Sequence, residues 1–438
     1  MSDTPETRFR IEHAFRSDVG MRRANNQDAI AVYPKRESGL HEGDCFYVVA
    51  DGMGAHAAGE EASKMAAESV PVTFLKLTDL IPPAALRQAV RNANHKIHTK
   101  GQKNPEMQGM GTTCSCLAVL GNKALVAHVG DSRVYRLRSG VLEQLTFDHS
   151  LVWEMAAQNN LREDQIPSGV PKNIITRSLG PQETVNIDLE GPFELRDDDE
   201  FLLCSDGLSG VVSDHEIGAI VGAMAPDEAT QTLVDLANLR GGPDNISVIV
   251  ARVSGVPIHK HNPNSDGKLT PRQWVATCAV AAACVAGFGL YLSWGDGSGM
   301  AVMASVALSA MLTAWLGRPS GERPTEEPLK GGPYGKGPYR THECGKAAPA
   351  AEALQDAATE LERLKHNEAP SPVADLIGDW KVFDEQRRAG ESAMKMKDHA
   401  VAVRCFSSAI RDVMRQASED RTRRYPAGGM FEDPSRVI

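Results

Sequence analysis

The stretch VVADGMGAHAAGE, residues 48–60, begins as an apolar run typical of a β-strand and then breaks at Asp51 into glycine and alanine. Aspartate is a poor strand residue and is almost never buried without a partner. An apolar run that ends on Asp51 therefore predicts a strand that carries a carboxylate to a place where another group holds its charge.

Three further apolar runs along the chain meet an aspartate beside or close to glycine. LVAHVGDSRVY reaches Asp131, FLLCSDGLSG reaches Asp206, and GGPDNISVIVARV places Asp244 just before a β-branched run. Glycine lets the backbone approach a ligand closely, although one Asp-Gly pair alone is also what a hairpin turn contains. Four carboxylates that converge at strand ends need a cation between them, and an all-oxygen ligand set suits Mg²⁺ or Mn²⁺.

The composition limits which classes of protein the chain can belong to. Its 438 residues exceed one average domain, and a net charge of −10 argues against nucleic acid as the main partner. The eight cysteines include no CxxC pair, so we expect reduced thiols of a cytosolic protein, with neither a zinc site nor a disulfide framework. The polar start MSDTPETRFR predicts no cleaved signal peptide.

Residues 1–255 have the pattern of an α+β domain. Strand-like runs (FYVVA, CLAVLG, KALVAHV, FLLCS and ISVIVARV) alternate with two amphipathic helical stretches, GEEASKMAAESVPVTFLKL and PAALRQAVRNANHKIHTK. Several strands follow one another across short turns, which favours antiparallel sheets over βαβ winding.

Two uncharged segments after this domain predict a transmembrane hairpin. They span residues 274–294 and 300–316, follow a polar linker at 256–273, and are joined by GDGSG. Each is near the length that crosses a bilayer, and small residues spaced four apart would let the two helices pack closely. Amphipathic tryptophans stand at the segment ends, as they do at membrane interfaces: Trp274, Trp294 and Trp315. A buried hairpin of a soluble protein is the alternative.

The charges that flank these segments predict an orientation. Lys260, Lys268 and Arg272 precede the first segment, Arg318 and Arg323 follow the second, and the connecting loop has no basic residue. By the positive-inside rule both outer flanks stay in the cytoplasm. The sequence thus predicts the cytoplasmic membrane as the location, with the N-terminal domain and the C-terminal tail facing the cytoplasm.

The C-terminal part of the chain is expected to consist of a linker and a helical hairpin. Residues 317–350 are rich in Pro, Gly and charge, which predicts a disordered linker over 317–372 that includes AEALQDAATELERLKHNE as a solvated helix. Residues 378–416 resemble one tetratricopeptide unit in the spacing of Gly390, Phe406 and neighbouring alanines. Such units are normally stable only in arrays, so this hairpin either packs on another chain or is a plain amphipathic hairpin.

The segment SDVGMRRANNQDA at 17–29 is the first, in chain order, of six motifs. Together with VADGMG, GTTC, VGDSRVY, CSDGLSG and GGPDNIS, it resembles the metal-dependent protein phosphatase family (PPM, type 2C), in its bacterial branch. The order and spacing match across residues 9–253, and TFDHSLVWEM and NIITRSLG are similar to the flap region of that branch.

The resemblance implies both a fold and a metal site. The fold would be two stacked antiparallel β-sheets flanked by helices, an αββα sandwich, with the metals at one edge. Asp51 would bridge two Mn²⁺ or Mg²⁺ ions and the Gly52 carbonyl would add a ligand. Asp206 and Asp244 would complete the first metal, and Asp131 with Asp206 would match a third, weaker metal.

The resemblance also implies hydrolysis of phosphoserine and phosphothreonine in proteins, with Asp28 holding metal-bound water and Arg23 gripping the substrate phosphate. General chemistry agrees, because two metals lower the pKa of a shared water and neutralise charge in the transition state. Arginine supplies a bidentate fork for phosphate oxygens. No nucleophilic side chain is needed, and Cys204, His128 and His149 are expected to be buried or flap residues.

The chain departs from the family pattern at a few positions near the site. Gln27 stands where many members carry Glu, and Met53 stands where the eukaryotic branch places a His proposed as general acid. His56, three residues further on, could protonate the leaving alkoxide or could be a surface residue. None of these changes removes an expected metal ligand.

Three functional hypotheses follow from these patterns. The first is a membrane-anchored serine/threonine phosphatase that acts on phosphorylated proteins and opposes a kinase system. The second is a phosphatase-like protein that binds phosphoproteins without turnover, and the third is a membrane scaffold whose C-terminal helices recruit a protein partner. The retained aspartates favour the enzyme, because non-catalytic copies usually lose them.

Overall fold

Two antiparallel β-sheets, stacked face to face, organise the residues that the computed structural model describes. These residues are 10–33, 44–54, 57–158, 170–171, 174–255, 333–345, 347–366 and 377–424, and all belong to one structural unit. In the first sheet the strand order is β1-β11-β10-β7-β8-β12, and in the second it is β2-β3-β5-β6-β9 with the short β4 paired to β3.

The strands have the following bounds. The first sheet contains β1 (Arg10–Asp18), β7 (Arg133–Arg138), β8 (Val141–Gln144), β10 (Glu200–Cys204), β11 (Ile246–Ser254) and β12 (Arg340–Glu343). The second contains β2 (Asp28–Tyr33), β3 (Cys45–Met53), β4 (Gly111–Thr112), β5 (Cys114–Leu120), β6 (Lys123–Val129) and β9 (Asp188–Glu194).

The helices that the structure describes have the following bounds. Those that precede β11 are α1 (Ala58–Lys76), α2 (Pro82–Lys103), α3 (Leu151–Gln158), α4 (Asp206–Ser209), α5 (Asp214–Ala223) and α6 (Pro226–Leu239). Those that follow β12 are α7 (Ala347–Lys365), α8 (Lys381–Lys395) and α9 (His399–Arg424).

Strict alternation along β3 shows how the layers form. Tyr47 and Val49 lie in the apolar core between the two sheets, whereas Phe46, Val48 and Ala50 face the core that α1 and α2 cover. Successive strand side chains point to opposite faces, and both faces of β3 are covered, so its residues form a continuous apolar run. On the first sheet α5 and α6 cover the outer face of β10 and β11. The predicted sandwich with helices on both sides is confirmed.

The prediction of a disordered linker over 317–372 is wrong for the part that the structure describes. Within that interval β12 pairs with β8 and extends the first sheet, and the predicted helix is present as α7, which has 19 residues. Nor is α7 solvated, because Leu354, Ala357 and Leu361 repeat every three or four residues and are fully or almost fully buried. The same unit thus includes residues well beyond the expected boundary at 255.

Two helices, α8 and α9, occupy the region in which the sequence predicted a helical hairpin. They approach closely where Gly390 faces the Phe406 ring, since a Cβ on Gly390 would lie 2.7 Å from Phe406 Cε1. Their apolar face packs against α6 and α7, within one core cluster that also contains the outer side of the first sheet. The hairpin therefore finds its packing partner in its own chain.

The predicted linker at 256–273 and the two predicted membrane segments, 274–294 and 300–316, lie outside the described residues. Among the helices that the structure does describe, none combines the length and the apolar character that crossing a membrane requires.

Candidate metal centre

Asp51 and Asp28 lie opposite each other on paired strands at one edge of the second sheet. The backbone of Asp51 is held tightly there. Its N–H donates to Thr113 Oγ1 at 2.8 Å, and its carbonyl oxygen accepts from Thr112 Oγ1 at 2.9 Å and from the Thr113 N–H at 2.8 Å. The end of β3 is thus fixed by two threonines of the GTTC motif.

Gly52 must be glycine because other backbone segments crowd it. A Cβ at this position would lie 2.2 Å from the Gly59 carbonyl oxygen and 2.6 Å from that of Gln27. The Gly52 N–H donates to the Gln27 carbonyl at 3.1 Å. These contacts hold the Gln27–Asp28 backbone directly against the turn that follows Asp51.

Asp206 begins α4 immediately after β10, and close packing brings it near the start of β11. A Cβ on Gly207 would lie 1.9 Å from the Asn245 carbonyl oxygen, so the two loops touch through their backbones. Besides burial, the charge of the Asp206 carboxyl group contributes to a raised pKa of Asp51. Asp131 follows β6 through Gly130, whose φ of +114° allows contact with Thr113.

The carboxyl groups of these aspartates form one electrostatic cluster. Loss of solvent, followed by the charges of neighbouring aspartates, raises the pKa of Asp28 to about 7. The same causes raise the pKa of Asp131 to about 8 and that of Asp51 well above its ordinary value. Burial, followed by the charge of Asp244, also raises the pKa of Asp206. Groups that repel one another in this way stay ionised together only if a cation offsets their charge.

Unpartnered oxygen atoms point to the same need. In the part of the chain that the structure describes, one buried carboxylate oxygen of each of Asp28, Asp131 and Asp206 has no hydrogen-bond partner. Buried polar atoms are normally satisfied, and hard divalent cations take carboxylate and carbonyl oxygens as ligands. The donor set therefore fits Mg²⁺ or Mn²⁺, although the described residues contain no three acidic, His or Cys side chains already grouped to hold an ion.

Arg23 lies on the loop between β1 and β2 and pairs with Asp244, with Nη2 2.6 Å from Oδ2. The guanidinium group is half exposed at the rim of the aspartate cluster. Gly20, at a φ of +76°, lets this loop approach Asp244, because a Cβ there would lie 2.0 Å from the Asp244 carbonyl oxygen. The loop therefore places the Arg23 guanidinium beside the aspartate cluster.

Several residues that hold this site were not predicted to have a role. Asn245 donates to the Val19 and Asn25 carbonyls at 2.9 and 3.0 Å and accepts from the Gln27 N–H at 2.8 Å, which clamps the Arg23 loop. Ser205 donates to Asp28 Oδ2 at 2.8 Å. The only sequence clue was their position beside the motif aspartates.

The other candidates behave as structural residues. His128 is buried and bonds Ser115 Oγ at 2.9 Å and the Phe147 carbonyl at 3.1 Å, and burial lowers its pKa to about 3. Burial also raises the pKa of the Cys204 thiol to about 12, so the thiol stays protonated. Their predicted roles as core residues are confirmed, whereas His56 lies outside the described residues.

The chain is similar in sequence to known protein phosphatases. A family model described as protein phosphatase 2C matches residues 21–239. Protein phosphatase PhpP of Streptococcus pneumoniae is 38% identical over 249 residues, which cover 56% of this chain and 98% of that protein. A putative protein phosphatase 2C-type of Streptococcus pyogenes is 36% identical over 240 residues, covering 54% of this chain and 94% of that protein.

A solved structure agrees with these sequence matches. The crystal structure of the serine/threonine phosphatase Stp1 from Staphylococcus aureus superimposes with a TM-score of 0.51 at 31% identity. The match covers 56% of this chain and 96% of that one.

Proposed function

The chain belongs to the protein phosphatase 2C family and is a metal-dependent serine/threonine protein phosphatase, and we propose that the aspartate cluster is its catalytic metal site. The observation that carries this proposal is the set of buried carboxylate oxygens of Asp28, Asp131 and Asp206 that lack a partner within the described residues. Its substrates are phosphoserine and phosphothreonine in other proteins, which a serine/threonine kinase system supplies.

Each aspartate has a distinct place in the proposed site. Asp51 would help hold two ions, together with the Gly52 carbonyl. Asp206 and Asp244 would complete the ligands of the first ion, and Asp131 with Asp206 would hold a weaker third. When bound, Mn²⁺ or Mg²⁺ supplies a water of lowered pKa and neutralises charge that develops on the phosphate. The backbone contacts of Thr113 and Gly207 fix the two strand ends so that the ligands do not have to reorganise.

Asp28 and Arg23 would act on the reactants themselves. Asp28 keeps one oxygen bound to Ser205 and leaves the other without a partner in the described structure, so it can accept a proton from water. Arg23 lies half exposed at the rim, where its guanidinium can move from Asp244 to the phosphate of a substrate.

Activity is expected to require added metal. Purified protein should release phosphate from a phosphothreonine peptide in Mn²⁺ or Mg²⁺ and should lose this activity in excess EDTA, because the carboxylates alone cannot activate water. Phosphate release measured with and without Mn²⁺ is the test. Undiminished hydrolysis in chelator would show that the aspartate cluster is not a catalytic metal site.

Replacing Arg23 with alanine is expected to raise KM for a phosphopeptide by about tenfold, while kcat falls less. A phosphate grip serves the bound substrate and the transition state alike, so its loss appears mainly in KM. Steady-state kinetics measure the split, and Arg22→Ala is the matched control, since Arg22 is exposed on the same loop. A large fall in kcat at constant KM would assign Arg23 to the transition state instead.

We also propose that residues 274–316 anchor the enzyme in the cytoplasmic membrane as a helical hairpin. The support comes from both ends of this stretch. Strand β11 ends at Ser254 and β12 begins at Arg340, and both strands belong to one sheet. The chain must therefore leave and re-enter on the same side of a membrane, which is compatible with two crossings and incompatible with one.

The cytoplasm is the proposed side of the folded unit. Basic residues lie on both outer flanks and the connecting loop has none, which is the arrangement expected for cytoplasmic flanks. Kinase substrates and reduced thiols are found in the same compartment.

Cysteine labelling is expected to reveal this topology. In intact cells a membrane-impermeant maleimide should label Ser298→Cys, in the connecting loop, and should leave Ser320→Cys unlabelled until the membrane is opened. The unsubstituted chain measures the background from native cysteines. Labelling of Ser320→Cys in intact cells would contradict the proposed orientation. Recovery of the chain in the soluble fraction would contradict the proposed membrane anchor.

A further inference from the structure

Residues 333–345, here named the strap, run across the first and second sheets after the chain re-enters the described structure. Tyr334 and Gly191 of β9 exchange two backbone hydrogen bonds of 3.1 and 2.9 Å, and β12 then pairs with β8. The strap lies outside residues 21–239, which the family model matches. The strap thus lies beyond the C-terminal end of that match.

The strap contacts a segment beside the candidate metal centre, which we name the wall and define as residues 147–158 and 174–180. The Arg340 guanidinium lies over the ring of Trp153, on α3, with 4.2 Å between its central carbon and the ring centroid. At this separation a cation is attracted to the face of an indole. Tyr339 contacts Phe147 of the wall, with ring centroids 6.1 Å apart.

A second contact reaches the wall through Asp188. Lys336 of the strap forms an ion pair with Asp188, and the same carboxylate bonds His149 Nε2 at 3.0 Å and Arg177 Nη1 at 3.1 Å. Burial alone would raise the pKa of Asp188, but the hydrogen bonds from His149 and Lys336 outweigh it and hold the pKa below its ordinary value. Asp188 thus joins the strap to both parts of the wall.

The wall in turn holds the backbone next to the aspartate cluster. The backbone N–H of His149 donates to the Gly130 carbonyl at 2.7 Å, and Gly130 directly precedes Asp131. Leu179 exchanges two backbone bonds of 2.9 and 3.0 Å with Thr112, whose hydroxyl holds the Asp51 carbonyl. These bonds tie the wall to the backbone beside Asp51 and Asp131, so the wall adjoins the place that a phosphoresidue would have to reach.

We propose that Arg340 and Lys336 are positioning residues that hold the wall in the position required for binding of phosphoprotein substrates. They act through Trp153 and Asp188 and touch neither phosphate nor metal. A small phosphate ester needs only the aspartate cluster and Arg23, whereas a phosphoprotein also needs the wall at the correct place. The inference rests on the phosphatase activity and adds a specificity element contributed by the strap.

The test compares two substrates on the full chain in Mn²⁺, phosphorylated casein and p-nitrophenyl phosphate. Arg340→Ala and Lys336→Ala should each raise KM for casein by about fivefold and change kcat by less than about twofold. KM for the small ester should change much less. Arg404→Ala and Lys381→Ala are the matched controls, because both residues are exposed on the C-terminal helices.

Conservative variants and a double variant separate positioning from general destabilisation. Arg340→Lys keeps a cation over Trp153 and should recover part of the casein KM. The Arg340→Ala/Trp153→Ala pair should be no worse than Trp153→Ala alone, because coupled residues are not additive. Unchanged casein KM, equal losses on both substrates, or additive effects would overturn the proposal. Inactivity of the unsubstituted chain on both substrates would instead count against the metal-site assignment.

Discussion

Asp51→Asn is expected to lower phosphatase activity by at least about a thousandfold, equivalent to about 4 kcal/mol of transition-state stabilisation, while the chain stays folded. Asparagine keeps the size of the side chain and the backbone contacts to Thr112 and Thr113, so the end of β3 should not move. What is lost is a charge that two cations would share. Phosphate release from a phosphothreonine peptide in Mn²⁺ measures the effect.

A thermal signature distinguishes loss of a metal ligand from loss of structure. A carboxyl group whose pKa is raised in the folded state destabilises that state whenever it is ionised, above its ordinary pKa. At neutral pH in EDTA, Asp51→Asn should therefore melt at a higher temperature than the parent chain. Mn²⁺ should reverse this order, because ligand at about a hundred times its Kd stabilises the parent by about 2.7 kcal/mol.

Asp79→Asn is the control for this comparison, since Asp79 is exposed in the turn between α1 and α2. It should leave activity and both melting temperatures unchanged. If the melting temperature of Asp51→Asn lies below that of the parent in EDTA, and Mn²⁺ raises both melting temperatures equally, Asp51 is not a metal ligand.

The aspartate cluster could be predicted because its determinants are local. Each carboxylate stands at one end of an apolar run, and the adjacent glycines mark places of close backbone approach, as Gly52 and Gly207 show. The contacts that hold the cluster could not be predicted in the same way. Thr113 and Asn245 act through side-chain bonds to backbone atoms far away in sequence, and these depend on how distant strands come together.

The prediction of a disordered linker in the C-terminal part was wrong for a related reason. Strand β12 has the sequence RTHE, which lacks the apolar alternation of a strand, and it forms because β8 offers an open edge. The apolar positions of α7 were visible in the sequence, but the surface that buries them was not. Flanking proline and glycine then favoured disorder, although Tyr339 and Cys344 at the two ends of β12 are buried in the same unit.

Ending the chain at residue 330 is expected to leave the catalytic unit poorly folded, although PhpP matches this chain over only 249 residues, which make up 98% of PhpP. Truncation removes Leu354, Leu361 and Phe406, which are fully buried against the outer face of the first sheet and its helices. Burial of such side chains contributes about 1.5–3 kcal/mol each, so their loss alone approaches the whole stability of an ordinary domain.

The surface that truncation would uncover is shaped for the missing segment. A Cβ on Gly218 of α5 would lie 2.4 Å from Cys344 Sγ, so this helix carries a glycine where the strap presses against it. A chain that ends after Arg424 keeps every described helix and is the control when both are expressed and extracted in the same detergent. Soluble yield, melting temperature and Mn²⁺-dependent activity should fall sharply only for the shorter chain. Equal melting temperatures would mean that the N-terminal part folds alone and that α7–α9 are an independent attachment.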